Sequence, residues 1–193
     1  MKRIMNKEPF LEPILRRLRI KKIMHHIPKN CILCDFGCGT NAFFLSTIKS
    51  SIQLGIGLDL QLQSQLDRKI KLITCNLDEN IPLKSNTVDV VTSLAVLEHL
   101  NNPMKNLREA YRILKKEGLL ILTTPTPTPT SKKILEFFAF KLGLLSINTI
   151  GEHKHYFDKK NLKEILIGAG FEEKKMEIKS FQIGLNSLVV AEK

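Results

Sequence analysis

The sequence has no tryptophan, only two tyrosines, and 6% aromatic residues over 193 positions. Grooves that grip single-stranded nucleic acid interleave aromatic side chains with basic ones, and the basic run from Arg16 to Lys22 contains no aromatic residue. Cysteine is also sparse, with four residues, which excludes a small disulfide scaffold. No stretch approaches the ~18 uninterrupted apolar residues of a membrane-spanning helix. The opening Met1-Lys2-Arg3-Ile4-Met5-Asn6-Lys7-Glu8-Pro9 is charged and has no apolar core behind it. It does not read as a secretory signal, so a cytoplasmic location is expected. With 43% hydrophobic and 25% charged residues, the chain has the composition of a folded globular protein. Its length fits one domain over residues 1–193.

Acid is the scarcer charge. There are 19 Asp and Glu against 30 Lys and Arg, a net charge of +11. The excess is concentrated in residues 1–30, which hold nine Lys and Arg against two Glu. Such an arm suits an anionic partner (RNA, a phosphate or an acidic lipid surface), or it is a solvated helix face that keeps the protein soluble. Cys31 and Cys34 have the spacing of a zinc pair. They fall within an apolar run that reads as a strand, where residues three apart face opposite sides. They are therefore read as packed thiols, and no metal site is expected.

Hydrophobic periodicity gives the element order. Residues 1–28 form a basic N-terminal unit with a helix over 13–27. Strands follow at 31–36, 52–58, 70–75, 88–93 and 118–124, alternating with helices at 41–49, 60–69 and 102–116. Strands alternating with helices imply a parallel sheet. Pro125, Pro127 and Pro129 then impose an extended stretch, and Ser131 can cap an apolar helix. A helix over 161–168 precedes two strands, 171–180 and 185–192, whose short link makes them antiparallel. The predicted fold is α/β: a doubly wound, Rossmann-like sheet of seven strands, mostly parallel, with an antiparallel C-terminal pair.

Asp35-Phe36-Gly37-Cys38-Gly39-Thr40-Asn41 follows the first strand and opens a helix. Glycines there let the backbone turn sharply and approach a ligand. Asp59 ends the second strand, 22 residues after Gly37, where a carboxylate can accept from both hydroxyls of a ribose. Both lie at the carboxyl ends of strands, where open parallel sheets bind ligands. Spacing alone does not name the nucleotide, because Gly37-x-Gly39-x-x-Ala42 also satisfies the relaxed dinucleotide pattern.

The chain resembles the class I S-adenosylmethionine-dependent methyltransferases, of the small single-domain type. The resemblance runs from Lys29 to Phe171 through four ordered stretches: Ile32 to Thr40, Gly57-Leu58-Asp59-Leu60, Asn76 to Val91, and Leu97-Glu98-His99-Leu100 through Gly118. It implies S-adenosylmethionine as cofactor. Gly37, Cys38 and Gly39 would lie against its methionine part, with Asp35 orienting that part. Asp59 and Leu60 would hold the ribose, Asn76 and Leu77 would sit beside adenine, and Ser93 and Leu94 would line the pocket. The family usually has glycine where Asn41 stands and often aspartate where Asn76 stands. Asn41 can keep a left-handed turn.

Methyl transfer is an in-line displacement that depends on holding the acceptor close, with a general base where the acceptor carries a proton. His99, His153 and His155 are the candidate bases, and each also reads as an ordinary structural histidine. His153 and His155 lack an evident third metal ligand. Residues 125–157 stand where the family places its substrate-covering insert, and here they are strongly apolar, with Phe137, Phe138, Phe140 and Leu142. A small apolar or lipid-linked metabolite is the expected acceptor, with peripheral membrane contact compatible and no transmembrane segment. The alternatives are an RNA or protein methyltransferase, a non-catalytic relative that binds the cofactor, and, most distantly, an NAD-dependent enzyme.

Overall fold

Apolar runs punctuated by glycine, asparagine and proline set the elements of the computed structural model, which describes residues 12–63, 67–126, 154–155, 157–182 and 184–193. Helix α1 (Glu12–Ile23) continues into a 3-10 turn at Met24–His26. There follow β1 (Ile32–Phe36), α2 (Phe43–Ile48), β2 (Leu54–Asp59), β3 (Ile70–Thr74) and β4 (Val88–Leu94). A 3-10 turn at Leu97–His99, α3 (Pro103–Ile113), β5 (Leu114–Pro125), α4 (Lys159–Ala169), β6 (Met176–Phe181) and β7 (Asn186–Glu192) complete the described chain.

The seven strands form one sheet in the order β3-β2-β1-β4-β5-β7-β6. β1 pairs in parallel with β2 and β4, β2 with β3, and β4 with β5, whereas β7 runs antiparallel to both β5 and β6. Both faces of the sheet are covered, as its near-continuous apolar strands require. Ile20 and Ile23 of α1 pack with Leu45 and Ile48 of α2 on one face. Leu107 and Ile113 of α3 pack with Leu162 and Leu166 of α4 on the other. Cys31 belongs to the first cluster and Cys34 to the second, so the two thiols do face opposite sides.

Several boundaries differ from the expected ones, each for a local reason. Helix α3 begins where Asn102 accepts from the Lys105 N–H at 3.0 Å and Pro103 occupies the first turn. It ends at Ile113 rather than 116, because Leu114 is fully buried and already pairs with Val88. Helix α4 is longer than expected: Asp158 caps it, and Gly170 at φ 118° closes it with paired N–H bonds from Gly170 and Phe171. β6 starts at 176 instead of 171, because Phe171 is buried edge-on against Tyr111 and a 3-10 turn at Glu173–Lys175 follows. The helix expected over 60–69 is absent among the described residues there. Asp67 organises a turn instead, accepting from the Lys69 N–H at 2.8 Å and from Lys49 Nζ at 2.9 Å. The apolar helix expected after Ser131 lies outside the described residues.

Candidate active site

Strand β1 delivers its last residues into a sharp turn whose backbone is tied to β2. The N–H groups of Gly37 and Cys38 both donate to the Leu58 carbonyl, at 2.8 and 3.1 Å. Gly37 and Gly39 take φ of 71° and 73°, the left-handed region that side chains avoid. The two glycines serve different ends. A Cβ on Gly37 would lie 2.4 Å from Val96 Cγ2, whereas one on Gly39 would meet nothing within 4 Å. Gly37→Ala is therefore expected to cost ~2 kcal/mol or more of stability, from backbone strain and overpacking together. Gly39→Ala is expected to cost about 1 kcal/mol, from strain alone. Thermal denaturation of both variants checks this, and equal losses would mean that the Val96 contact relaxes freely. The left-handed residue at the start of α2 is Ala42, at φ 43°, and not Asn41. Asn41 keeps an ordinary backbone, and a buried alanine makes the turn.

Asp59 sits at the mouth of that turn. Its Oδ2 accepts from the Gly39 N–H at 2.9 Å and its Oδ1 from the Gln61 N–H at 3.2 Å. Each carboxylate oxygen retains a lone pair for a further donor. Asp35, in register with Thr92 of β4, is almost wholly buried, and Thr92 Oγ1 donates to its Oδ1 at 2.6 Å. Burial pushes the Asp35 carboxyl up to about 7, aided by the nearby charge of Asp59 and opposed by the Thr92 hydrogen bond. Burial, with Asp35 and Asp59 adding to it, pushes the Cys38 thiol up to about 12, so it is no thiolate nucleophile.

A cavity of about 670 Å³ opens above the turn. Asp35 and residues 37–41 form its floor, Leu94 and Ala95 one wall, and Glu98 and His99 another. Its roof comes from α1, through Arg16, Arg19 and Ile20, and Phe43 and Phe44 add an aromatic side. Arg16 stacks on Phe43 with its guanidinium carbon 4.9 Å from the ring centre. Glu98 is 1% exposed, and Thr124 Oγ1 donates to its Oε2 at 3.2 Å. Burial raises its carboxyl, while the backbone, His99, Thr124 and Arg19 pull it back.

The expected site residues are thus partly gathered. Asp35, Gly37, Cys38, Gly39, Leu94 and His99 line the cavity. Asp59 touches it only through the Gly39 N–H. Leu60 is exposed beside Asp59. Asn76 turns inward on its own loop: its Oδ1 accepts from the Asp78 N–H and its Nδ2 donates to Glu79 Oε1, both at 3.0 Å. Leu77 is a core residue whose carbonyl accepts from Asn106. Ser93 is buried outside the cavity walls, and its Oγ has no hydrogen-bond partner among the described residues. The next two positions, Leu94 and Ala95, line the cavity in its stead. His155 packs on Phe157 with ring centres 5.9 Å apart and is not a cavity wall. Its N–H, like that of Lys154, donates to the Glu98 carbonyl. His153 lies outside the described residues. Arg16, Arg19, Phe43 and Glu98 are site residues that the sequence reading did not single out.

The sequence pattern of the methyltransferase-domain family matches residues 7–174. The chain belongs to this family. The methyltransferase domain is 41% identical over 96 residues to an uncharacterized protein of Methanocaldococcus jannaschii, covering 49% of this chain and 40% of that protein. It is 29% identical over 178 residues to the demethylmenaquinone methyltransferase of Oceanobacillus iheyensis, covering 80% of this chain and 74% of that one. The chain therefore spans less than half the length of the first relative and about three quarters of the second. Among solved structures, an S-adenosylmethionine-dependent methyltransferase from Mesorhizobium loti superimposes with a TM-score of 0.65 at 15% identity, covering 90% of this chain and 96% of that one. That likeness is one of fold. The domain is of the S-adenosylmethionine-dependent kind. No described helix is long and apolar enough to cross a membrane.

Proposed function

We propose that the chain transfers the methyl group of S-adenosylmethionine to a small, apolar or lipid-linked metabolite in the cavity above Gly37–Gly39. The observation that carries this reading is the cavity itself. A glycine turn of the cofactor-binding kind and a wall of Phe43, Phe44 and Leu94 share one space. A relative named for demethylmenaquinone supports the acceptor class. The residues present fit the cofactor: the space above Gly39 admits a ligand's approach, and Asp59 keeps free lone pairs toward that end. In this reading Asp59 and Leu60 hold the ribose, Asp35 and the 37–39 turn hold the amino-acid end, and Asn76 shapes the loop beside adenine. When bound, S-adenosylmethionine supplies an electrophilic methyl group on a sulfonium. His99, exposed on the cavity wall beside the buried Glu98, takes the acceptor's proton. The backbone at 154–155 holds Glu98 in place.

Incubation with methyl-labelled S-adenosylmethionine, against phenols and quinols in detergent, RNA and proteins, tests the reading. Label is expected in the extractable phenol or quinol. Label in RNA or protein would replace this acceptor class, and no transfer with S-adenosylhomocysteine binding intact would make the chain a binding protein.

A further inference from the structure

Helix α1 has apolar residues on both of its sides. Ile20 and Ile23 turn inward and are buried, as a helix packed on a sheet requires. Ile14 and Leu18, one turn apart on the outer side, are 49% and 50% exposed. The cations of the helix divide between the same two sides. Arg16 and Arg19 turn to the cavity, whereas Arg17, Lys21 and Lys22 are exposed around Ile14 and Leu18. At 14, 18 and 21 the exposed residues recur at four and three positions, one stripe of a helix. No described carboxylate forms an ion pair with Arg17 or Lys21. Glu177 of β6 reaches Lys22 and His26 with its charge and is offset by Lys179 beside it.

We propose that this outer face of α1 is a docking surface for an anionic lipid bilayer. Charge complementarity selects that occupant. A half-exposed aliphatic pair framed by Arg17, Lys21 and Lys22 matches a helix lying in the headgroup plane, with alkyl groups toward the acyl chains and cations toward the phosphates. A second copy of this chain would bring the same positive face and be repelled. RNA would engage the cations but has no use for isolated aliphatics. The opposite side of the same helix roofs the cavity, and Phe43, 40% exposed, marks the cavity rim beside Arg16. The inference stands apart from the proposed acceptor, because docking needs no methyl transfer.

The test is sedimentation of the full chain with phosphatidylcholine vesicles, alone and mixed with phosphatidylglycerol. Binding is expected only with the anionic mixture and weakens with added salt. Arg17→Ala with Lys21→Ala should weaken it about 30-fold, at the strength expected for two interfacial cations. Ile14→Ser with Leu18→Ser should weaken it about tenfold. Both double variants should bind S-adenosylhomocysteine as the parent does, which shows that they are folded. Binding that ignores lipid charge, or that survives both variants, overturns the proposal. So does tighter binding to polyuridine that is insensitive to Ile14→Ser and Leu18→Ser, or dimerisation abolished by those two changes.

Discussion

Asp59→Ala is expected to weaken S-adenosylhomocysteine binding about 100-fold or more in calorimetry. Two charge-assisted hydrogen bonds to a ribose diol contribute about 1.5 kcal/mol each at the low end, and together they amount to two decades in Kd. The loss has a second source, because Asp59 also accepts from the Gly39 N–H and so fixes the turn at 37–39. Asp59→Asn keeps an acceptor oxygen for Gly39 and should fall between parent and alanine. The carboxylate is only half-buried, so the cost in stability is expected to be about 1 kcal/mol. Affinity lost without a large fall in Tm identifies a ligand-holding role. Unchanged uptake of the nucleotide by Asp59→Ala would remove the reading of the site.

Asp35→Asn should make the protein more stable and a poorer binder. The ordinary aspartate value is 3.8, and that of Asp35 is about 7. Between those values the folded chain holds a proton that the unfolded chain has already released. The unfolded state binds fewer protons there, so stability falls as the pH rises through this window. The favourable contribution is full below 3.8 and gone above about 7. Asparagine carries no such cost and can still accept from Thr92 Oγ1. At pH 8 the variant should gain on the order of 2–4 kcal/mol over the parent, with the two converging toward pH 4. That gain corresponds to a Tm rise of roughly 5–10 °C in a domain of this size. Binding moves the other way. A carboxylate in the cavity floor favours the cationic ammonium and sulfonium of the cofactor, so parent affinity should rise with pH through about 7. The variant should bind at least tenfold more weakly at pH 8 and show no such rise. A variant whose affinity follows pH as the parent's does would assign the titration to another group.

Much of this arrangement is legible from residue order. The apolar run ending in Asp35, the two glycines and the acid 22 residues on specify a strand, a turn and a neighbouring strand end, and they meet through the Leu58 carbonyl. The antiparallel β6–β7 pair is legible because its link is too short for a crossover. Other features depend on tertiary context. Arg16 and Arg19 are three apart in a run of cations, and only packing against the sheet decides which members of such a run face inward. Glu98 reads as one acid in a polar turn, and its burial appears only when Thr124 of β5 comes alongside it. Ala42, not Asn41, takes the left-handed conformation because the Gly39 carbonyl accepts its N–H within the turn. The stretch after β2 has a helical pattern, but Asp67 draws the described end of it into a turn before β3.

Glu98 holds one wall of the cavity by two separate means. Its side chain is tied to Thr124, its carbonyl receives the N–H groups of Lys154 and His155, and Thr126 is bonded to Leu185 and Ser187. One residue thus ties the 3-10 turn after β4 to β5 through its side chain and to 154–155 through its backbone carbonyl. A substitution at Glu98 keeps the backbone ties and loses only the one to Thr124, so its effect falls on the cavity wall before it reaches the fold.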